Sequence, residues 1–168
     1  MINLRFFGFR NRAKTSPAPS PETVPHKASA ASDGAQNDLN GKRVLIVDDD
    51  PVFLMATKAK LQSTGCRVRT AKEASEAISA LAEEPADAVL MDITFQPDVC
   101  NGGMGSWDGF MIMTWLRGHP GANGARFVMV SGSDSPADRL RARQIGAVAY
   151  FHKPLDHDRL LAAISARN

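Results

Sequence analysis

Four apolar runs in this chain lead directly into residues that can bind or attack an anion. Val44-Leu45-Ile46-Val47 is followed by Asp48, Asp49 and Asp50, Ala88-Val89-Leu90-Met91 by Asp92, and Phe127-Val128-Met129-Val130 by Ser131 and Gly132. Val148-Ala149-Tyr150-Phe151 leads to His152, Lys153 and Pro154. If the runs are strands of one parallel sheet, their carboxyl ends open into a shared crevice, where open α/β sheets place their ligands. Carboxylates gathered there repel one another, and a divalent cation with oxygen ligands relieves the repulsion. Magnesium suits the donor set, because it takes two or three protein oxygens, keeps several waters and accepts a phosphoryl oxygen. One carboxylate then remains as a nucleophile. Phosphoryl transfer requires mainly alignment and neutralised charge on the equatorial oxygens. Lys153 can pair with one such oxygen, Ser131 can hydrogen-bond another, and the metal can hold the third. Gly132 leaves room for the incoming group.

The elements that must position these groups are legible in the apolar patterning. The four runs are continuous rather than alternating, as expected of strands buried on both faces, whereas Cys66-Arg67-Val68-Arg69-Thr70 alternates and suits an edge strand. Helices are predicted over about residues 51–64, 72–84, 107–117, 136–144 and 156–166. Ala74, Ala77, Ile78 and Leu81 repeat at helical spacing with Glu73 and Glu76 on the opposite face. Gly65 and Gly146 fall where helices end, and Asp50 is placed to cap the first helix. The result is five βα units, a parallel sheet with helices on both sides.

The chain has 168 residues, a net charge of +2, 43% hydrophobic and 23% charged residues, which fits one globular domain with an extension. Cys66 and Cys100 are too few for a disulfide framework or a metal-binding cysteine cluster, so a reducing cytoplasm is expected. No apolar run approaches the length of a membrane span. Residues 1–40 are rich in Pro, Ala, Ser, Gly and Asn and are expected to form a disordered tail. Its start carries Arg5, Arg10, Arg12 and Lys14 among Phe6, Phe7 and Phe9, so it reads either as an unstructured leader or as a weak docking segment for an acidic partner or membrane surface.

With the motifs Val44-Leu45-Ile46-Val47-Asp48-Asp49-Asp50-Pro51, Leu90-Met91-Asp92, Val128-Met129-Val130-Ser131-Gly132 and Tyr150-Phe151-His152-Lys153-Pro154 in order, residues 42–167 resemble a response-regulator receiver domain of two-component signalling. The resemblance implies the flavodoxin-like fold of the bacterial chemotaxis response regulator: a doubly wound, five-stranded parallel (βα)5 sheet with strand order 2-1-3-4-5. It implies Asp92 as phosphoacceptor, Asp48 and Asp49 as the acidic pair, with Asp49 the more direct Mg2+ ligand, and the backbone carbonyl of Thr94 as a further metal ligand. Lys153 becomes the phosphate partner, with a cis peptide before Pro154. Ser131 and Tyr150 become switch residues whose movement alters the surface of the fourth helix, fifth strand and fifth helix. Thr94 and Ser133 flank the path of the attacking water and tune the phosphoryl lifetime. The implied donor is a sensor histidine kinase or histidine phosphotransfer protein, and the implied output is contact with a downstream protein. The domain at 41–168 is expected to act as a single-domain response regulator in the cytoplasm. It is a signalling domain rather than an enzyme with an external substrate, and no direct DNA binding is expected.

Where the family usually has a short loop after the phosphoacceptor, residues 95–106 form an enlarged glycine-bearing loop before Trp107-Asp108-Gly109. It reads as a lid, a partner-recognition element or a tolerated surface extension. Arg139, Arg141 and Arg143 form a basic cluster on the fourth helix, suited to an acidic partner or to solvent, and His152 reads as a surface residue. Two other functions compete. Asp48-Asp49-Asp50-Pro51-Val52 also fits the nucleophile motif of haloacid-dehalogenase-like phosphatases, in which Asp48 would be phosphorylated, and an unphosphorylated pseudo-receiver would serve as a binding module.

Overall fold

The computed structural model describes residues 39–94 and 108–166, so the amino-terminal segment, the enlarged loop and Trp107 lie outside the described residues. Five strands alternate with five helices in chain order: β1 (Arg43–Val47), α1 (Pro51–Gln62), β2 (Arg67–Ala71), α2 (Ala74–Glu83), β3 (Ala88–Asp92), α3 (Gly109–Arg117), β4 (Arg126–Ser131), α4 (Pro136–Gln144), β5 (Ala149–His152) and α5 (His157–Ser165). All strand pairs are parallel, and the order is β2-β1-β3-β4-β5, as the resemblance implies. A short 3-10 turn, Pro120–Ala122, precedes β4.

Strand side chains alternate between two apolar layers. Val44, Ile46, Leu90, Val128 and Val130 pack with Leu54 and Leu61 of α1 and with Leu160 and Ile164 of α5. Leu45, Val47, Val89, Met91, Phe127 and Met129 face Ala77 and Leu81 of α2, Phe110, Met113 and Leu116 of α3, and Ala142 of α4. Because β1, β3 and β4 are covered on both faces, their sequences are continuously apolar. The apolar run at residues 148–151 departs from this expectation. Among β5 residues only Phe151 is buried, and Val148 is 42% exposed. The reason is topological: β5 is the last strand of the sheet, with β4 its only neighbour among the described residues.

Local capping sets where helices begin. The Asp50 side chain accepts hydrogen bonds from the amides of Val52 (2.8 Å) and Phe53 (3.3 Å), and Pro51 occupies the first helical turn. This capping turns the chain away from β1 immediately after the acidic pair. α2 starts at Ala74 rather than at the expected Lys72, because Glu73 is extended and the Lys72 amide donates to the Glu76 carboxylate at 2.7 Å. Gly65 adopts φ 91° just past α1, a conformation that a side chain would strain. Leu39, the first described residue, is 1% exposed, although the domain is expected to start at residue 41. Its carbonyl accepts from the Lys42 amide at 3.0 Å.

At the amino-terminal edge of the sheet, Arg43 grips Asp87 with its guanidinium (2.7 and 3.1 Å) and backbone amide (2.8 Å). The Arg43 hydrogen bond holds the Asp87 carboxyl below its ordinary pKa, despite an opposing contribution from burial. A depressed folded-state pKa makes the contribution full above the ordinary carboxylate range and removes it as pH falls through the depressed value. Asp87→Asn is therefore expected to lower the urea midpoint at neutral pH, and its difference from wild type should shrink as pH is lowered from about 5 to about 2. A difference that stays constant over that range would contradict the pairing.

Candidate phosphoacceptor and metal site

Three strand ends and the segment after β5 converge on one pocket at the carboxyl edge of the sheet. Asp48, directly after β1, is completely buried and bound through both oxygens. Oδ1 accepts from the Asp50 amide at 3.0 Å, and Oδ2 accepts from Lys153 Nζ at 2.6 Å. Burial pushes the Asp48 carboxyl above its ordinary pKa, outweighing the opposing pull of Lys153 and the Asp50 amide; the charge of Asp92 adds to the rise. Burial also works against the Lys153 ammonium. The Asp48 hydrogen bond and the charges of Asp92 and Asp48 outweigh it, so its pKa is raised and Lys153 remains a cation.

Asp92 is the last residue of β3 and is 1% exposed. Its Oδ2 accepts from the Thr94 hydroxyl at 2.5 Å. Its Oδ1 lies 3.3 Å from Lys153 Nζ, close enough for an ion pair, yet it is buried without an aligned hydrogen bond. A buried carboxylate oxygen with unfilled lone pairs is costly unless a cation or donor completes it. Asp49 supplies the exposed third carboxylate, and one oxygen each from Asp48, Asp49 and Asp92 lie within 4.8 Å of one another. Ligands about 2.0–2.1 Å from an octahedral ion stand roughly 3–4 Å apart, so the cluster and the unsatisfied Oδ1 fit a small divalent cation.

Ser131 closes the pocket from the end of β4. It is 1% exposed, and its hydroxyl oxygen accepts from the Ser133 amide at 3.0 Å. The Ser133 carbonyl accepts from the Tyr150 hydroxyl at 2.8 Å, so one short loop links the two expected switch residues. His152 is exposed, its Nε2 3.1 Å from the Gly132 carbonyl oxygen. The Lys153–Pro154 peptide bond is cis, as the resemblance implies. A Cβ at Gly132 would meet nothing within 4 Å, so the room expected there does not depend on glycine.

Two contacts at this site escaped the sequence reading. The Phe53 ring lies against Lys153, with Nζ 4.3 Å from its centroid, a cation–π contact. Nothing local in the sequence marks Phe53. Gly109, at the start of α3, packs against the β3 end so closely that a Cβ would collide with the Asp92 carbonyl oxygen and stand 2.9 Å from Ile93 Cα. The Asp108-Gly109 pair was visible as a helix start, with the Asp108 side chain accepting from the Met111 amide at 3.0 Å, but the close approach was not.

The model of the response regulator receiver domain matches residues 44–165, a span that includes every carboxylate of the pocket, Ser131, Tyr150 and Lys153. The chain belongs to this family. Receiver domains are signalling modules of two-component systems, and membership sets aside the haloacid-dehalogenase-like alternative. The transcriptional regulatory protein GltR of Pseudomonas aeruginosa is 32% identical over 127 residues, covering 76% of this chain and 49% of GltR. Protein PilH of the same organism is 29% identical over 124 residues, covering 74% of this chain and 95% of PilH. The receiver chain thus spans about half the length of GltR and nearly all of PilH. Among solved structures, a response regulator from Burkholderia pseudomallei with a phosphorylated aspartic acid, calcium ion and citrate superposes with a TM-score of 0.61 at 26% identity, covering 73% of this chain and 66% of that one. No helix among the described residues is long and apolar enough to cross a membrane.

Proposed function

We propose that this receiver domain accepts a phosphoryl group on Asp92 and passes the change to a downstream protein through surface contacts. The observation that carries the reading is the difference between the two buried carboxylates. Both oxygens of Asp48 are engaged, whereas among the described residues Asp92 Oδ1 has no aligned hydrogen bond, only the Lys153 ammonium at 3.3 Å. A carboxylate oxygen attacks the phosphorus of a phosphohistidine on a sensor histidine kinase or phosphotransfer protein. The O–P bond forms as the N–P bond breaks, and the electron pair returns to the imidazole.

Asp48, Asp49, Asp92 and the backbone carbonyl of Thr94 would hold Mg2+, which when bound offsets carboxylate charge and stabilises a phosphoryl oxygen. Lys153 is positioned to neutralise another phosphoryl oxygen by leaning from Asp48 toward Asp92. The Ser131 hydroxyl can donate to the phosphoryl group, and its link through Ser133 to Tyr150 provides a route to the α4-β5-α5 surface. Phosphorylation then biases an equilibrium between two arrangements of that surface, because it contacts them differently. The likeness to PilH, nearly all of whose length is matched, supports output through protein contacts, and a cytoplasmic setting gives access to kinase phosphohistidine.

Incubation with acetyl phosphate and Mg2+, followed by mass-spectrometric mapping of the acyl phosphate, is expected to place the modification on Asp92. Modification of Asp48 would overturn the assignment. Absence of any acyl phosphate would favour a pseudo-receiver that works by binding alone.

A further inference from the structure

Lys153 is fixed at its backbone and adjustable at its tip. Its amide donates to the Ser131 carbonyl at 2.7 Å, which ties the residue to the end of β4. The four-carbon stem beyond can turn through many rotamers unless its tip is held. Among the described residues three groups surround the ammonium: Asp48 Oδ2 at 2.6 Å, Asp92 Oδ1 at 3.3 Å and the Phe53 ring, its centroid at 4.3 Å. Two of the three are carboxylates, and their pairing with the lysine must change once Asp92 carries a phosphoryl group. The ring is the contact that this chemistry does not alter.

Phe53 is set in place by local structure. It lies in the first turn of α1, and its amide donates to Asp50 Oδ1 at 3.3 Å. The partly buried side chain packs against the apolar layer between the sheet and helices α1 and α5. Val52 and Met55 of the same helix are 66% and 68% exposed, so Phe53 is directed inward where they are not. The cap that turns the chain away from Asp49 therefore also sets an aromatic face beside the ammonium.

We propose that Phe53 is a positioning residue for phosphoryl transfer: its ring holds the Lys153 ammonium while that cation passes from Asp48 to the phosphoryl oxygens on Asp92. The attraction of a cation to a ring acts over the whole face rather than along one lone pair, so the ammonium can redirect its N–H groups without leaving the ring. A carboxylate or carbonyl in the same place would compete for those N–H groups. An aliphatic side chain would fill the space without attracting the charge. The inference deepens the proposed function and rests on it for the passage between carboxylates.

The test uses the full chain. Phe53→Leu and Phe53→Met remove the aromatic face and keep apolar bulk, whereas Phe53→Tyr keeps both. The rate constant for acetyl phosphate labelling of Asp92, at saturating donor and Mg2+, is expected to fall about threefold to tenfold in the Leu and Met variants and to be restored in Phe53→Tyr. Mg2+ affinity should stay near that of wild type in all three, because the ring is not one of the oxygen donors. Loss of Mg2+ affinity in step with labelling would make Phe53 a structural prop of the pocket and overturn the proposal. So would unchanged labelling in Leu and Met variants that circular dichroism shows to be folded, a result that leaves the phosphoacceptor reading intact. A second measurement needs no variant to fold. In wild type the ring current is expected to hold the Lys153 ε-methylene resonance upfield of the ordinary lysine position, both before and after beryllofluoride, a phosphoryl mimic, is added with Mg2+. Return of that resonance to its ordinary position on addition would show that the ammonium leaves the ring, and would end the proposal. Wild-type protein that never labels at Asp92 would sink the phosphoacceptor reading and the passage with it, even where the resting resonance still reported the ring contact.

Discussion

Replacing Asp92 with Asn is expected to abolish phosphoryl incorporation from acetyl phosphate, a loss of at least about 100-fold, while leaving the domain folded. An amide is close in size to the carboxylate, and its oxygen can still accept the Thr94 hydroxyl now bound at 2.5 Å. It lacks the anionic oxygen that would attack phosphorus, and covalent catalysis fails when the nucleophile is removed. The informative comparison is Asp48→Asn. That change removes the 2.6 Å partner of Lys153 and one member of the carboxylate cluster, so it should weaken Mg2+ binding and slow labelling without eliminating it. Quench-flow or radiolabel incorporation at several Mg2+ concentrations separates the two. If Asp92→Asn labels normally and Asp48→Asn does not, the roles assigned to the two carboxylates are reversed.

Gly109→Ala is expected to be among the most damaging single-methyl changes available to this domain. The new Cβ would collide with the Asp92 carbonyl oxygen, which is backbone and cannot swing aside, and would crowd Ile93 Cα at 2.9 Å. Overpacking of this kind costs about 1–3 kcal/mol, and more when only backbone can yield. The displaced β3 end carries Asp92, the proposed phosphoacceptor, so phosphorylation should slow along with the loss of stability. Gly132→Ala is the control, because a Cβ there meets nothing within 4 Å and should change stability by less than about 0.5 kcal/mol. Urea denaturation of both variants, with acetyl phosphate labelling in parallel, checks the contrast. Equal stability of Gly109→Ala and Gly132→Ala would show that α3 can withdraw from β3 at little cost.

These expectations draw on features of unequal legibility. The β3 run Ala88–Asp92 announced itself because a strand covered on both faces needs an unbroken apolar run, and all five of its residues are buried. The inner face of α2 was equally plain from Ala74, Ala77 and Leu81, and the cap at Asp50 from its place before Pro51. The same reasoning misjudged residues 148–151, because an apolar run does not state how many neighbours a strand has. The basic cluster on α4 was read as one feature, yet Arg141 pairs with Asp108 beside α3, whereas Arg139 and Arg143 line a cavity beside β5. Leu39 looked like tail by composition but closes the base of the core on the α1 and α5 side.

From its sequence alone this protein was committed to five βα units and to the chemical types at the strand ends: acids after the first and third runs, a hydroxyl after the fourth, a lysine after the fifth. Burial periodicity and residue type are local properties, so a linear chain displays them. Which groups touch was decided by tertiary structure. Lys153 and Asp48 meet across 105 residues of sequence, and only their juxtaposition leaves Asp92 with the buried, unbonded oxygen. The Gly109 approach to β3, the Phe53 ring against Lys153 and the gathering of Arg139, Arg143 and Arg159 beside β5 arise in the same way, from long-range packing that no local pattern encodes.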